Sequence, residues 1–164
     1  MTPKRSIGKN FRSVWLSVMV SSAGDGMFLT AFPLLAAILT RDPVLIAGVT
    51  IASRLPWLMF SMFTGALADR MDRRKLMIGA DLIRLVIVGL LGIAILTDVV
   101  NIWMLYLSAF LLGSCETLHV NAAQGLIPAI VKPEDLLEAN ARFASGQIVA
   151  AQFIGPPLGV AMFN

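Results

Sequence analysis

Five apolar stretches, each long enough to cross a hydrocarbon layer as a helix, decide what this chain can fold into. They cover residues 13–39, 44–68, 76–96, 102–126 and 141–163, and a crossing needs ~20 helical residues. Their apolar residues are continuous rather than alternating at period two, so helices are expected and a barrel is not. A bilayer core solvates no exposed peptide groups, and helices satisfy theirs internally. Three connections, residues 40–43, 69–75 and 97–101, are short enough to force antiparallel neighbours. The fourth, residues 127–140, carries Pro128, Pro133 and the acids Glu134, Asp135 and Glu138, and it predicts a short surface helix capped near residues 132–134.

Charge is scarce and bunched. Only 14% of the 164 residues are charged, where a soluble domain carries about 25%. Lys4, Arg5, Lys9 and Arg12 precede the first stretch; Arg70, Arg73, Arg74 and Lys75 fill the second connection; Lys132 and Arg142 flank the fourth. With Arg84, taken to lie just inside the third helix, eleven cations fall on one side. Arg41 alone falls on the other, and Arg54 lies within a helix. Basic loops stay cytoplasmic, so a cytoplasmic N-terminus is expected. The net charge of +3 is a topology signal on this reading, and no nucleic-acid partner is expected. The first stretch is too long for a cleaved leader, whose apolar core is about 7–15 residues. A lone Cys115 offers neither a disulfide framework nor a cysteine metal site. Because the chain reaches Asn164 directly after the fifth stretch, with no basic anchor, truncation is expected.

One local pattern is specific. Residues 65–76 read Gly-Ala-Leu-Ala-Asp-Arg-Met-Asp-Arg-Arg-Lys-Leu. A small residue near a helix end allows close approach, and an acid beside a tight basic turn precedes the next helix. This resembles the signature loop between helices two and three of the major facilitator superfamily, with Gly65, Leu67, Asp69, Arg70, Arg73 and Arg74 matching in place. Asp72 stands where that loop usually has a second glycine, which implies a different turn. The alternative is a basic topology loop and no more. The run from Glu116 to Pro128, followed by Ala139 and Asn140, resembles the helix-four to helix-five region of bacterial drug and siderophore exporters. Residues 155–159, Gly-Pro-Pro-Leu-Gly, resemble the exporters' helix-five glycine–proline motif, though Ala151 and Val160 replace two of its glycines. Gly155 and Gly159 are spaced for close helix packing, and Pro156 removes a helical hydrogen bond and favours a bend. A packing motif without bearing on transport direction is the alternative.

Charges inside the apolar stretches are functional candidates, because an unpaired one costs ~3 kcal/mol or more. Asp25 and Arg54 fall at similar depth in antiparallel neighbours, which suggests one polar cavity in which they pair. Asp25 is then a candidate proton acceptor, and a static salt bridge is the alternative. Glu116 and His119 share a face of the fourth helix. Glu-x-x-His is a di-iron spacing, but such sites need a second pair, and this chain has one His, so no metal is expected. Glu116 is a second protonatable candidate. Asp81 and Arg84 share a face of the third helix and would extend the loop's charge network.

The resemblance implies an all-α membrane protein: five transmembrane helices of a six-helix, major-facilitator-type half, multi-pass in the bacterial plasma (inner) membrane. It implies secondary active transport, with proton-coupled efflux of a small molecule by alternating access against a C-terminal half. Asp69 would be the central acid of a cytoplasmic latch, oriented by Arg73. No enzyme activity and no cofactor are expected, since no nucleophile elbow, ligand cluster or phosphate loop occurs. A non-transporting scaffold or regulatory half-transporter is the alternative.

Overall fold

The computed structural model describes residues 8–163, apart from the side chains of Lys9 and residues 64–70. Lys4 and Arg5 of the basic lead fall outside the described residues. The chain forms helices α1 (Lys9–Leu39), α2 (Pro43–Arg70), α3 (Arg73–Leu96) and α4 (Ile102–Ile130), then α5 (Leu136–Val149) and α6 (Gly155–Ala161). At 1.5 Å per residue α1 is about 45 Å long, more than a ~30 Å hydrocarbon core requires.

Short polar side chains set the helix starts. Asp42 accepts from Val44 N at 2.8 Å, with Pro43 preorganised at the first helical position. Asn101 accepts from Met104 N at 3.0 Å, and Asp72 accepts from Arg74 N and Lys75 N at 2.9 and 3.3 Å. Each satisfies an orphan amide that a helix start leaves. Asp98, at φ 56°, turns the chain out of α3, in the left-handed region that Asp tolerates better than most residues.

The fourth connection differs from the expectation in its extent. It holds the short surface helix expected near residues 132–134, as one 3₁₀ turn, Pro133–Asp135, after Lys132, but this turn leads straight into α5 rather than standing apart from it. Proline fixes φ there, and Asp135 N closes onto Lys132 O at 3.0 Å, so the last rod starts at Leu136, before residue 141. That rod also breaks, with a π turn over Ala150–Ile154 separating α5 from α6. Pro156 and Pro157 lack the amides that would close α-helical bonds onto the preceding turn, and the register slips by a residue to compensate.

α4 carries the longest run of buried positions. α2 and α3 both pack on it, although the short loop that joins them leaves them barely touching, and the α5–α6 rod packs on α1. Two apolar cores result. One gathers Phe11, Val18, Leu76, Met77, Ala123, Ile127 and Phe143; the other gathers Phe32, Val49, Leu91, Leu105 and Leu112. Between the two cores each of α1, α3 and α4 carries polar residues: Ser21, Ser22 and Asp25; Asp81 and Arg84; Glu116, Thr117 and His119. The outer surface is apolar: Leu58, Met62 and Leu96 are each at least 84% exposed, a surface that water would not tolerate over this extent. Among the described residues, three helices are long and apolar enough to cross a membrane, over Asn10–Leu39, Pro43–Phe63 and Arg73–Leu96.

Candidate functional site

The polar layer between the cores is a chain of charges. Arg84 projects from the middle of α3, and its guanidinium lies 2.9 Å from Asp25 of α1, with side chains only 12% and 17% exposed. The same guanidinium donates to the Ser21 hydroxyl and lies 3.8 Å from Asp81, one turn before it. Asp81 in turn lies 3.0 Å from Nδ1 of His119 on α4, a ring that is fully buried. Desolvated charges persist only when paired, and here every charged member has a partner on another helix.

Asp25 is the cation's partner on one side and a cavity wall on the other. A cavity of about 370 Å³ opens between α1, α2, α4 and the α5–α6 rod, and Asp25, Arg54 and Glu116 all line it. Thr50, Ser53, Gln147 and Gln152 add uncharged polar groups, while Phe28 and Phe32, 5.5 Å apart between ring centroids, add an apolar wall. The cations acting on Glu116 are Arg54 and Arg84. Asp25 and Arg54 therefore share the cavity, but the ion pair of Asp25 is with Arg84. Glu116 and His119 part company: the acid faces the cavity and the imidazole faces α3.

Two expectations about α3 need correction. Because α3 begins at Arg73, Arg84 lies eleven residues, about 16 Å, along it. It belongs to the interior and not to the loop's basic cluster. Asp81 and Arg84 accordingly join Asp25 and His119, rather than extending the charges of the second connection. Gly65, Asp69 and Arg70 have side chains outside those described. Of the rest of that motif, Arg74 is exposed, and Arg73 reaches across to donate to the Gly125 carbonyl in the last turns of α4, where a cation also meets the negative end of the helix dipole.

The glycine motif packs the last rod onto α1. A Cβ on Gly155 would lie 2.6 Å from Ala23 O and from Gly26 Cα, and one on Gly159 would lie 2.5 Å from Met27 O. Gly26 makes the reciprocal approach, since a Cβ there would collide with the Ala151 carbonyl. Pro156, between the two glycines, follows the π turn. Sequence reasoning passed over Ser21, Gln147 and Gln152. The glutamines are five apart, a spacing that shares no face of an α-helix, and the π turn at Ala150–Ile154 lets both reach one cavity.

The chain matches the family model described as transmembrane secretion effector over residues 3–164. It is similar to macrolide efflux protein A of Streptococcus pyogenes, 24% identical over 154 residues that cover 94% of this chain and 38% of the relative. Its similarity to macrolide efflux protein A of Enterococcus faecalis is 26% over 120 residues, covering 73% and 37%. An uncharacterized MFS-type transporter of Mycobacterium tuberculosis is 30% identical over 147 residues, covering 85% and 32%. The chain thus spans about a third of the length of the curated relatives it matches. No solved structure matches. The chain belongs to the transmembrane secretion effector family of the major facilitator superfamily.

Proposed function

We propose that this chain supplies the first five membrane-crossing helices of a proton-coupled exporter, N-terminus in the cytoplasm of a bacterial cell. The observation that carries the reading is the cavity at mid-height, where Asp25, Arg54 and Glu116 meet two phenylalanines. Transporters of this type bind substrate near the bilayer midplane at the interface between repeats. A wall of aromatic and charged groups suits a substrate that is largely apolar and carries an ionisable or polar group, the character of the macrolides that name two of the relatives. Asp25 and Glu116 are the acids on which a proton would compete with substrate. Arg54 offsets Glu116, so that protonation of either acid changes the cavity's net charge. The loop from Gly65 to Arg74 acts as the cytoplasmic latch, with Asp69 as its acid and Arg73 anchoring α4 through Gly125. Gating then consists of this bundle rocking against a C-terminal half.

The test is efflux from a bacterial host lacking its own exporters, expressing the gene. Cells should extrude a radiolabelled macrolide in a manner abolished by collapsing the proton gradient. Asp25→Asn and Glu116→Gln should each reduce extrusion about tenfold or more, as expected of acids that carry the coupled proton. Extrusion that survives both substitutions, or an absence of extrusion for every macrolide tried, would overturn the reading.

A further inference from the structure

The charge chain between the two cores is not balanced. Arg84 serves two carboxylates, Asp25 at 2.9 Å and Asp81 at 3.8 Å, and Asp81 also faces His119 at 3.0 Å. Two acids against one permanent cation leave one negative charge in excess, which a site at bilayer depth disfavours. A single bound proton removes it, and the geometry offers that proton two homes. On His119 it makes an imidazolium beside Asp81, 3.0 Å away, and leaves Arg84 to Asp25, 2.9 Å away. On Asp25 it neutralises the carboxylate and releases the guanidinium to Asp81. Arg84 has donors for the exchange, since its Nε is buried without an acceptor.

We propose that His119 and Asp81 form a second proton site, linked to the cavity acid Asp25 by transfer of Arg84 from one carboxylate to the other. Asp25 lines the inner cavity and also a separate cleft of about 480 Å³ between α1 and α3, where Ser21, Asp81 and Arg84 lie. Asp25 therefore borders an opening on each side of α1. When a proton from the cavity forms an O–H bond on Asp25, Arg84 moves to Asp81. His119 then loses its free carboxylate partner and gives up its own Nδ1 proton, by way of the half-exposed Asp81, to the cleft. One proton enters, one leaves, and the layer is neutral before and after the exchange. Other groups face this layer: Cys115 and Glu116 from α4, Arg54 of α2 through Glu116, the Met77 backbone from α3, and Ser21 and Ser22 from α1. The polar groups that the α5–α6 rod contributes to the cavity, Gln147 and Gln152, are uncharged. Of these, Arg54 and Glu116 offset each other.

The inference rests on the exporter reading only for what the proton is used for, and its test needs no transport. His119 is the sole histidine, so the histidine signals of the isotopically labelled chain in nanodiscs report its protonation directly. Asp25→Asn mimics the proton-bound acid and sends Arg84 to Asp81; the proton affinity of His119 should then fall about tenfold or more, the effect of a charge brought within a few ångströms. Asp25→Glu, which keeps the charge, should leave it within about twofold of the unaltered chain. An Asp25→Asn chain whose His119 affinity is unchanged or higher would reduce the dyad to a static pair and overturn the proposal. If that variant loses its helical circular dichroism, the unaltered chain decides. Its protonated-carboxyl infrared band and its imidazolium signal should both change in each of the two macroscopic steps by which coupled sites titrate, and two signals that each titrate in a single step of their own would equally refute it. Coupling without macrolide efflux would remove the transport reading and leave this one standing.

Discussion

Asp72 occupies the position where the signature loop usually carries glycine, and it has taken on a different task. Its carboxylate accepts from the amides of Arg74 and Lys75 at the start of α3, so the turn is held by a cap rather than by glycine's backbone freedom. Loss of such a cap to alanine costs about 1 kcal/mol, and to glycine only a few tenths. Asp72→Ala should therefore lower the stability of the folded chain in detergent by about 1 kcal/mol, while Asp72→Gly should be close to neutral. Equal losses for the two variants would mean that the carboxylate matters for some reason other than capping. Which residues bear charge at depth was legible in the sequence; which of them pair was not. Depth along two neighbouring helices suggested Arg54 for Asp25. Arg84 arrives instead from α3, whose packing on α4 brings it to Asp25, and no pairwise spacing encodes that third helix.

Among the elements, the contact between α1 and the last rod depends most on residue size. Gly26, Gly155 and Gly159 leave no room for a methyl group, whereas Gly79 on α3 has nothing within 4 Å of where its Cβ would lie. Alanine is intrinsically better than glycine in a helix by up to about 1 kcal/mol. Overpacking a close contact costs about 1–3 kcal/mol. Gly79→Ala should thus raise stability slightly and Gly26→Ala should lower it, a difference of sign that thermal unfolding in detergent would resolve. If both raised it, α1 and the rod would not be in the close contact described. The small-residue spacing of Gly155 and Gly159 was legible, because it repeats at helical period. Their partner Gly26 and the π turn were not: proline announces a break but not how the register recovers, and the recovery decides that Gln147 and Gln152 reach the same cavity as Asp25.

For the molecule as a whole, alternation of the helices assigns every connection to one of two ends. Phe11, Leu76, Val131 and Leu136 gather at one core, while Leu39, Val100 and Ile102 gather at the other. The N-terminus, the turn at Met71–Asp72 and the turn at Pro133–Asp135 therefore share one end, and residues 40–42 and 97–101 share the opposite end. With Arg84 moved to the interior, eight cations among the described residues lie at or near the first end and Arg41 lies at the second. This one-sided charge bias supports the proposed cytoplasmic N-terminus. In a Cys115→Ala background, which removes the one native thiol, a cysteine at Arg74 should react with a membrane-impermeant maleimide only after cells are opened. One at Asp98, an exposed residue of the α3–α4 turn, should react on intact cells. Labelling of position 74 from outside would invert the bundle, put the signature loop on the wrong face for a cytoplasmic latch, and make Asp25 face the opposite compartment at every step of the cycle.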